Sequence, residues 1–158
     1  RGEKTSDEVV TRTIKILTYM KKEPVLLNRE ISGFIGNRLQ YALFREAQYI
    51  YEQGIASIED IDRAVHFSIG RRLPVTGPFI SADMGGLDVF ESISSYLFPT
   101  LSNSNESYSK MKSLVNNGEF GQKNGKGFYQ WSNDYSQQMN KERDKELIEW
   151  LKKDDKDK

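Results

Sequence analysis

Histidine and cysteine, the side chains that most often act as a general base, a nucleophile or a transition-metal ligand, are scarce in this chain. Its 158 residues include one histidine, His66, and no cysteine. The sequence therefore excludes disulfides, thiolate nucleophiles and cysteine-ligated zinc, and one histidine cannot build a histidine-rich metal site. A general base needs a partner and a cleft. For His66 we expect instead a surface or boundary contact with Asp62, four residues earlier on one helix.

Two further patterns could carry chemistry, and both favour a structural role. Asp60 and Asp62 resemble a carboxylate pair, but they lie on different faces of a helix and are typical of helix-start charge. The sequence Gly125-Lys126-Gly127 follows no strand and does not fit the dinucleotide-binding fingerprint. Lys123 and Lys126 could hold a phosphate, but the glycine-rich loop predicts a turn. The sequence predicts no metal site.

The balance of charge excludes several classes of partner. Lys and Arg number 23 and Asp and Glu number 23, and the pI is near 6.8. Such a chain lacks the basic footprint of a nucleic-acid binder and the polybasic patch of a membrane-surface protein. The mean hydropathy is −0.67, and no apolar run approaches the ~20 residues of a membrane span. We therefore expect no nucleic acid and no membrane as partner, and a cytoplasmic location.

The first 30 residues predict one helix and one strand. Thr5 and Glu8 fit a capping box at the start of a helix over 7–20. Glu23-Pro24 stops that helix, and residues 24–28 form a short apolar strand without an obvious partner. Because one strand cannot satisfy its own backbone groups, this piece is typical of the tail of an α/β layer.

From residue 31 the apolar spacing is helical. A polar, glycine-rich loop covers 118–127, and the loop of 71–78 contains two prolines. Helices are predicted over Ile35–Gly54, over Ser57–Gly70 with Ser57 as the cap and Asp60 as its partner, over Phe79–Phe98 with an interruption at Gly85-Gly86, around Met111–Val115, and over Lys141–Leu151.

Four local motifs stand in a fixed order along the chain. They are Gly33–Leu39 (GFIGNRL), Asp60–Ala64 (DIDRA), Gly77–Asp88 (GPFISADMGGLD) and Gly125–Tyr129 (GKGFY). In this order and spacing they resemble the C-terminal domain of 3-hydroxyacyl-CoA dehydrogenases. The opening residues, RGEKTS, also resemble part of the last helix–strand unit of that family's dinucleotide-binding domain. The resemblance covers about residues 1–131.

The resemblance implies a fold and a division into three parts. The fold class is all-α: a helical dimerisation domain of the 6-phosphogluconate dehydrogenase-like type, preceded by one helix and one strand left over from a Rossmann domain. We expect residues 1–30 to be the remnant of the NAD-binding domain and 31–131 to be the helical domain. Residues 132–158 are expected to form a helical extension with a charged tail.

The resemblance also implies an activity. Enzymes of this family oxidise the 3-hydroxyl of an acyl-CoA to a ketone with NAD, in fatty-acid oxidation or butyrate metabolism. Their catalytic histidine, its partner glutamate and the glycine-rich turn lie in the Rossmann domain, ahead of Arg1. We therefore expect NAD to bind that missing domain, this chain alone to be inactive, an acyl-CoA substrate, and a homodimer through the helical domain.

Asn37 is the one active-site residue of the family that maps onto this chain. A carboxamide donates and accepts hydrogen bonds without titrating, so it can bond to a substrate oxygen in both the hydroxy and the keto state. Its position in the first turn of a long helix favours an oxygen that gains electron density. The neighbouring Gly36 suggests close backbone packing or room for substrate.

The segment Gly77-Pro78-Phe79 is the second candidate site. Proline in the first helical turn sets a rigid entry into the helix. In the family this segment lies beside the substrate pocket, so we expect it to bind substrate. The preceding stretch of 71–76 is longer than the commonest family form, which leaves the preferred chain length open.

Two other interpretations stay open. The chain could be a non-catalytic helical dimerisation module, or part of a related carnitine or sugar-acid dehydrogenase. In every case the apolar faces of residues 7–20 and 24–28 lack the sheet on which they would pack. We expect a second copy of the chain to cover them.

Overall fold

The structure, a computed structural model, describes residues 1–156 and is helical. The described residues contain no strand, only two isolated bridges, Gly121 with Lys126 and Lys126 with Gln130. The all-α fold class is confirmed. The helices are α1 (Asp7–Tyr19), α2 (Phe34–Glu52), α3 (Ile58–Phe67), α4 (Ile69–Arg72), α5 (Pro78–Gly85), α6 (Leu87–Leu97), α7 (Ser109–Asn116) and α8 (Asn133–Lys156), with a 3-10 turn, Phe98–Thr100, after α6.

The described chain divides into two units. One contains Arg1–Gln40 and the segment from Trp131 onward, and the other contains Tyr41–Gln130. The predicted division at residues 30 and 131 stays a prediction, and its last part extends two residues beyond the described chain. No helix among the described residues is both long and apolar enough to cross a membrane.

The strand predicted over 24–28 does not form. These residues are irregular in the structure, ahead of the turn that leads into α2. A strand is defined by hydrogen bonds to a neighbouring strand, and the described chain offers this segment none. The segment is apolar, as the sequence shows, but apolar character alone does not make a strand.

The helix starts follow local capping chemistry. Ser57 accepts a hydrogen bond from the amide of Asp60 at 3.1 Å, which confirms the predicted cap of α3. At α1 the cap is Ser6 and not Thr5, because the Ser6 hydroxyl accepts from the amide of Val9 at 3.3 Å. Thr5 and Ser6 both stand ahead of the acidic residues Asp7 and Glu8, so the sequence pattern fits either of them as the cap. The expected cap is therefore one residue too early.

Gly70 does not end a helix, contrary to expectation. The break comes at Ser68, where φ is −119° and ψ is −100°, and Gly70 lies inside α4. A Cβ on Gly70 would lie 2.7 Å from the carbonyl oxygen of Val65. Glycine is therefore needed here because α4 begins close against the backbone of α3.

The predicted interruption between Phe79 and Phe98 is confirmed. Gly86 separates α5 from α6 with φ of +91°, a conformation that side chains with a Cβ rarely adopt. A Cβ on Gly85 would lie 2.6 Å from the ring of Phe90, so the two helices approach closely there. The glycine pair thus creates a tight corner directly after the candidate substrate segment.

The last helix begins earlier than its apolar pattern indicated. The sequence predicts a helix over Lys141–Leu151, whereas α8 starts at Asn133. Ser132 starts it, because its hydroxyl accepts from the amide of Tyr135 at 3.1 Å. The polar first turns of α8 carry no apolar stripe, which is why periodicity alone missed them.

Apolar side chains are widely exposed. Among the described residues no hydrophobic side chain is buried, and Ser102 is the one buried polar residue. Phe79 is 86% exposed, Met84 77% and Val75 74%. Because large exposed apolar patches mark interaction surfaces, the residues of α5 and of the turn before it are suited to a further partner.

A set of side chains on the C-terminal half of α2 holds the segment 102–110. The side chains of Glu46, Gln48 and Glu52 accept hydrogen bonds from the backbone amides of Ser102, Tyr108 and Lys110, at 2.8, 3.2 and 3.1 Å. These three bonds, which we call the α2 clamp, satisfy backbone groups of a segment that has no regular structure before α7.

Candidate functional site

Asn37 lies in the first turn of α2 and is exposed. Its carboxamide makes no hydrogen bond within the part of the chain that the structure describes. The first-turn amides of an α-helix have no intrahelical acceptor, and this turn carries no acidic side chain. The site therefore combines a free amide with the positive end of a helix dipole.

The chain reverses immediately before Asn37. Gly33 and Phe34 have φ of +80° and +50°, and the Phe34 amide donates to the carbonyl of Ile31 at 3.1 Å. Arg38 donates to the carbonyl of Ser32 at 3.4 Å. These bonds define where α2 begins, so they position Asn37.

Gly36 leaves space beside Asn37. A Cβ built on Gly36 would meet no atom within 4 Å, so close packing inside this chain does not explain the glycine. Of the two roles expected for Gly36, room for another group is the one that the geometry supports. A free amide with open space beside it can hold a substrate oxygen in either oxidation state.

The segment Gly77-Pro78-Phe79 begins α5 as expected. Gly77 caps the helix with φ of −65° and ψ of 175°, and Pro78 occupies the first turn. Thr76 and Ser81 hydroxyls hydrogen-bond at 2.9 Å across the helix start. Phe79 is thus exposed on a fixed backbone, and its contact with substrate stays a prediction.

The two candidate sites belong to different units of the structure. Asn37 lies in the unit that contains Arg1–Gln40, and Gly77-Pro78-Phe79 lie in the unit of Tyr41–Gln130. Each site is therefore defined by its own local geometry.

The predicted contact between His66 and Asp62 is wrong. The His66 ring lies against the ring of Phe67, with 4.6 Å between centroids. Asp62 instead accepts a hydrogen bond from the Tyr129 hydroxyl at 2.8 Å. The sequence considered only helix neighbours of Asp62, whereas its partner is 67 residues away in another motif.

The glycine-rich loop forms a tight turn. The Gly121 amide donates to the carbonyl of Lys126 at 2.7 Å, and Lys126 forms an ion pair with Glu119 at 2.7 Å. A Cβ on Gly127 would lie 2.6 Å from the Cα of Gly121. The glycine thus allows the loop to close on itself, which confirms the expected turn.

The described residues do not fit NAD. A dinucleotide pyrophosphate binds at a glycine-rich turn between a strand and a helix. The only Gly-x-Gly of the described residues, at 125–127, follows no strand, and its backbone is hydrogen-bonded to that of Gly121. The described residues also contain no group of three or more acidic or histidine side chains that could hold a metal ion.

The carboxyl groups whose pKa is perturbed are not residues of either candidate site. The Ser109 hydroxyl, and then the Lys110 amide, lower the pKa of Glu52. The Lys112 ammonium lowers the pKa of Glu106, and Lys152 lowers that of Glu149. Each shift stabilises a carboxylate that makes a structural contact, so none of them indicates a general base.

The C-terminal domain of 3-hydroxyacyl-CoA dehydrogenase matches this chain over residues 33–131. A Mesorhizobium japonicum protein, 5-formyl-3-hydroxy-2-methylpyridine 4-carboxylate 5-dehydrogenase, is 33% identical over 147 residues, which are 93% of this chain and 48% of that protein. An L-carnitine dehydrogenase of Oceanobacillus iheyensis is 34% identical over 85 residues, which are 54% of this chain and 28% of the relative.

A solved structure shares the fold of this chain. The crystal structure of 5-formyl-3-hydroxy-2-methylpyridine 4-carboxylic acid 5-dehydrogenase, described as an NAD⁺-dependent dismutase, has a TM-score of 0.90 and 32% identity. The match covers 94% of this chain and 48% of that one. The chain thus spans about half the length of this relative.

Proposed function

Because the chain belongs to the 3-hydroxyacyl-CoA dehydrogenase family, as a member matching its C-terminal domain, we propose that it supplies the substrate-binding and dimerisation part of an NAD-dependent dehydrogenase. The observation that supports a catalytic contribution is the geometry of Asn37. Its amide is exposed, makes no bond among the described residues and lies at the positive end of α2. In the oxidation of a hydroxyl to a ketone, such a group can bond to the oxygen before and after the reaction.

The substrate in this proposal is an L-3-hydroxyacyl-CoA, which is oxidised to the 3-ketoacyl-CoA in fatty-acid or butyrate metabolism. Asn37 contacts the reacting oxygen and acts as a catalytic residue. Gly77, Pro78 and Phe79 contact the acyl portion. The family description supports the thioester, and the exposed Phe79 ring supplies an apolar surface for an acyl chain.

A second candidate substrate is a small free acid. The two relatives named above act on a pyridine carboxylate and on L-carnitine, and both compounds carry a carboxylate. The first of these relatives matches 93% of this chain. An oxidation at a carbon near a free carboxylate would use Asn37 in the same way.

NAD binding and proton transfer belong, in this proposal, to a domain outside this chain. The described residues do not fit the dinucleotide, and the chain corresponds to about half of its relative. When bound, NAD supplies the oxidant. We therefore expect this chain alone to be inactive, and the full-length protein to act in the cytoplasm.

A homodimer through the helical domain completes the proposal. No hydrophobic side chain of the described chain is buried, and the turn and helix around Phe79 and Met84 are especially exposed. Burying such surface stabilises an assembly by about 25 cal/mol per Å². Light scattering of the full-length protein should give twice the monomer mass; a monodisperse monomer would contradict this part.

Activity of the full-length protein tests the proposed function directly. It should reduce NAD with 3-hydroxybutyryl-CoA, or with carnitine or gulonate if the second candidate is right. The matched control is this chain alone, which should show no turnover with any of the three. A full-length protein that is folded and dimeric but inactive with all three would favour a non-catalytic dimerisation module.

A further inference from the structure

The chain is neutral, but one stretch of it is positive. From Arg63 to Ala82 the sequence contains three arginines and one histidine, and no acidic residue. Arg63 is neutralised by Asp60, at 3.1 Å. The guanidinium of Arg71 lies over the Phe67 ring, 4.5 Å from its centroid. Two positive charges at the end of α4 therefore have no acidic partner in this stretch.

Arg72 is the arginine of this stretch whose side chain is not engaged. It is exposed, and among the described residues its guanidinium has no hydrogen-bond, ion-pair or ring partner. A guanidinium in this state can form two parallel hydrogen bonds to an oxyanion without first giving up a bond within the protein.

The backbone of Arg72 is fixed close to the candidate substrate segment. Its carbonyl accepts from the amides of Val75 and Thr76, at 2.9 and 2.8 Å. Thr76 in turn hydrogen-bonds Ser81 in α5, and the Ser81 amide donates to the carbonyl of Gly77 at 3.0 Å. The turn between α4 and α5 is therefore tied at both ends, so Arg72 has a defined position relative to Gly77.

We propose that Arg72 is a specificity-determining residue, which binds an oxyanion carried by the substrate. This inference rests on the proposed function, because it assigns the substrate to the surface that begins at Gly77. The oxyanion is the carboxylate of a small free acid or a phosphate of a CoA thioester. Leu73, Val75 and Phe79 are exposed around it, and covering them would exclude water and strengthen the ionic bond.

A structural role for Arg72 makes a different prediction. Arg71 and Arg72 both lie in the last turn of α4, where a positive charge stabilises the helix dipole. If that were the whole role of Arg72, its removal would alter the free energy of unfolding and leave KM unchanged. A change in KM without a matching change in the free energy of unfolding therefore separates the binding role from the structural one.

The test compares Arg72→Gln, Arg72→Lys and the control Arg63→Gln in the full-length protein. Arg72→Gln should raise KM for the substrate by about tenfold or more, since a bond to a charged group is lost, with kcat nearly unchanged. Arg72→Lys keeps the charge without the planar fork and should give an intermediate KM. Arg63→Gln should keep the wild-type KM.

The choice of substrate identifies the oxyanion. A rise in KM for carnitine or gulonate indicates a carboxylate, and a rise confined to 3-hydroxybutyryl-CoA indicates a phosphate. An active protein whose KM is unchanged by both Arg72 variants would overturn this inference and leave the proposed function intact. No turnover by the wild-type protein with any of these substrates would overturn both.

Discussion

The two ends of α2 differ in how fully their polar groups are used. In the C-terminal half, three side chains each accept a backbone hydrogen bond from the segment 102–110. In the first turn, Asn37 makes no hydrogen bond among the described residues, and Gly36 faces open space. A polar group without a partner contributes little to folding. The comparison therefore indicates that the clamp serves stability, whereas the Asn37 carboxamide stays free to bond to another molecule.

The clamp is reinforced by a charge above an aromatic ring. The Lys110 ammonium donates to the carbonyl of Tyr51 at 2.7 Å and lies 4.0 Å from the centroid of the Tyr51 ring. Its backbone amide is the donor to Glu52. One residue of the segment thus binds the end of α2 through two separate groups, whereas the described chain provides nothing comparable at Asn37.

Replacing Asn37 should give the largest effect on function and a minimal effect on the fold. In the full-length enzyme, Asn37→Ala should lower kcat by about 100-fold or more, because it removes a donor to the reacting oxygen. The free energy of unfolding and the dimer mass should match those of the wild type. Steady-state kinetics and urea unfolding check this, and unchanged turnover would reject the assigned role.

Replacing Glu46 should show the opposite behaviour. Glu46→Ala leaves the amide of Ser102, a buried residue, without its acceptor, and should lower the free energy of unfolding by about 1–3 kcal/mol. Glu46→Gln retains an accepting oxygen and should lose less. The exposed Glu59→Ala is the matched control. If Glu46→Ala were as stable as this control in urea, the clamp would not be a stabilising feature.

Acid should weaken the clamp through Glu52. The Ser109 hydroxyl and the Lys110 amide hold the pKa of Glu52 below the usual value of a glutamate carboxyl group. A lowered pKa in the folded state adds stability above the unfolded pKa, and this stability is lost as pH falls through the folded value. Unfolding of the wild type between about pH 5 and pH 3 should therefore show a small loss that Glu52→Gln lacks. Parallel pH profiles of the two proteins would contradict this coupling.

Local chemistry explains which parts of the fold the sequence could predict. The corner at Gly85-Gly86, the cap at Ser57 and the proline entry at Pro78 depend on residues close in the chain, and all three are confirmed. The apolar pattern does not predict the start of α8, because the first turns of this helix are polar and its start depends on the cap at Ser132. Gly70 is needed for a contact with Val65 rather than for a helix end.

Contacts between distant residues could not be predicted in the same way. Glu46 bonds to a residue 56 positions away, and Asp62 to one 67 positions away. The spacing of residues around Glu46 and Asp62 does not distinguish a distant partner from a cation or histidine nearby in the chain. The sequence therefore pairs Asp62 with His66, which is wrong. The resemblance to a family motif indicates Asn37 as a site residue. The structure adds that its carboxamide has no hydrogen bond among the described residues and that the space beside the neighbouring Gly36 is open.

The lack of buried apolar side chains has a calorimetric consequence. The heat-capacity increment of unfolding comes mainly from apolar area that is newly hydrated, and no hydrophobic residue of the described chain is fully buried. Heating this chain alone should therefore give a broad endotherm with a small increment and weak cooperativity. A sharp thermal transition should require a partner surface that covers the exposed apolar side chains. The melting temperature would then report the stability of the assembly rather than that of the isolated chain.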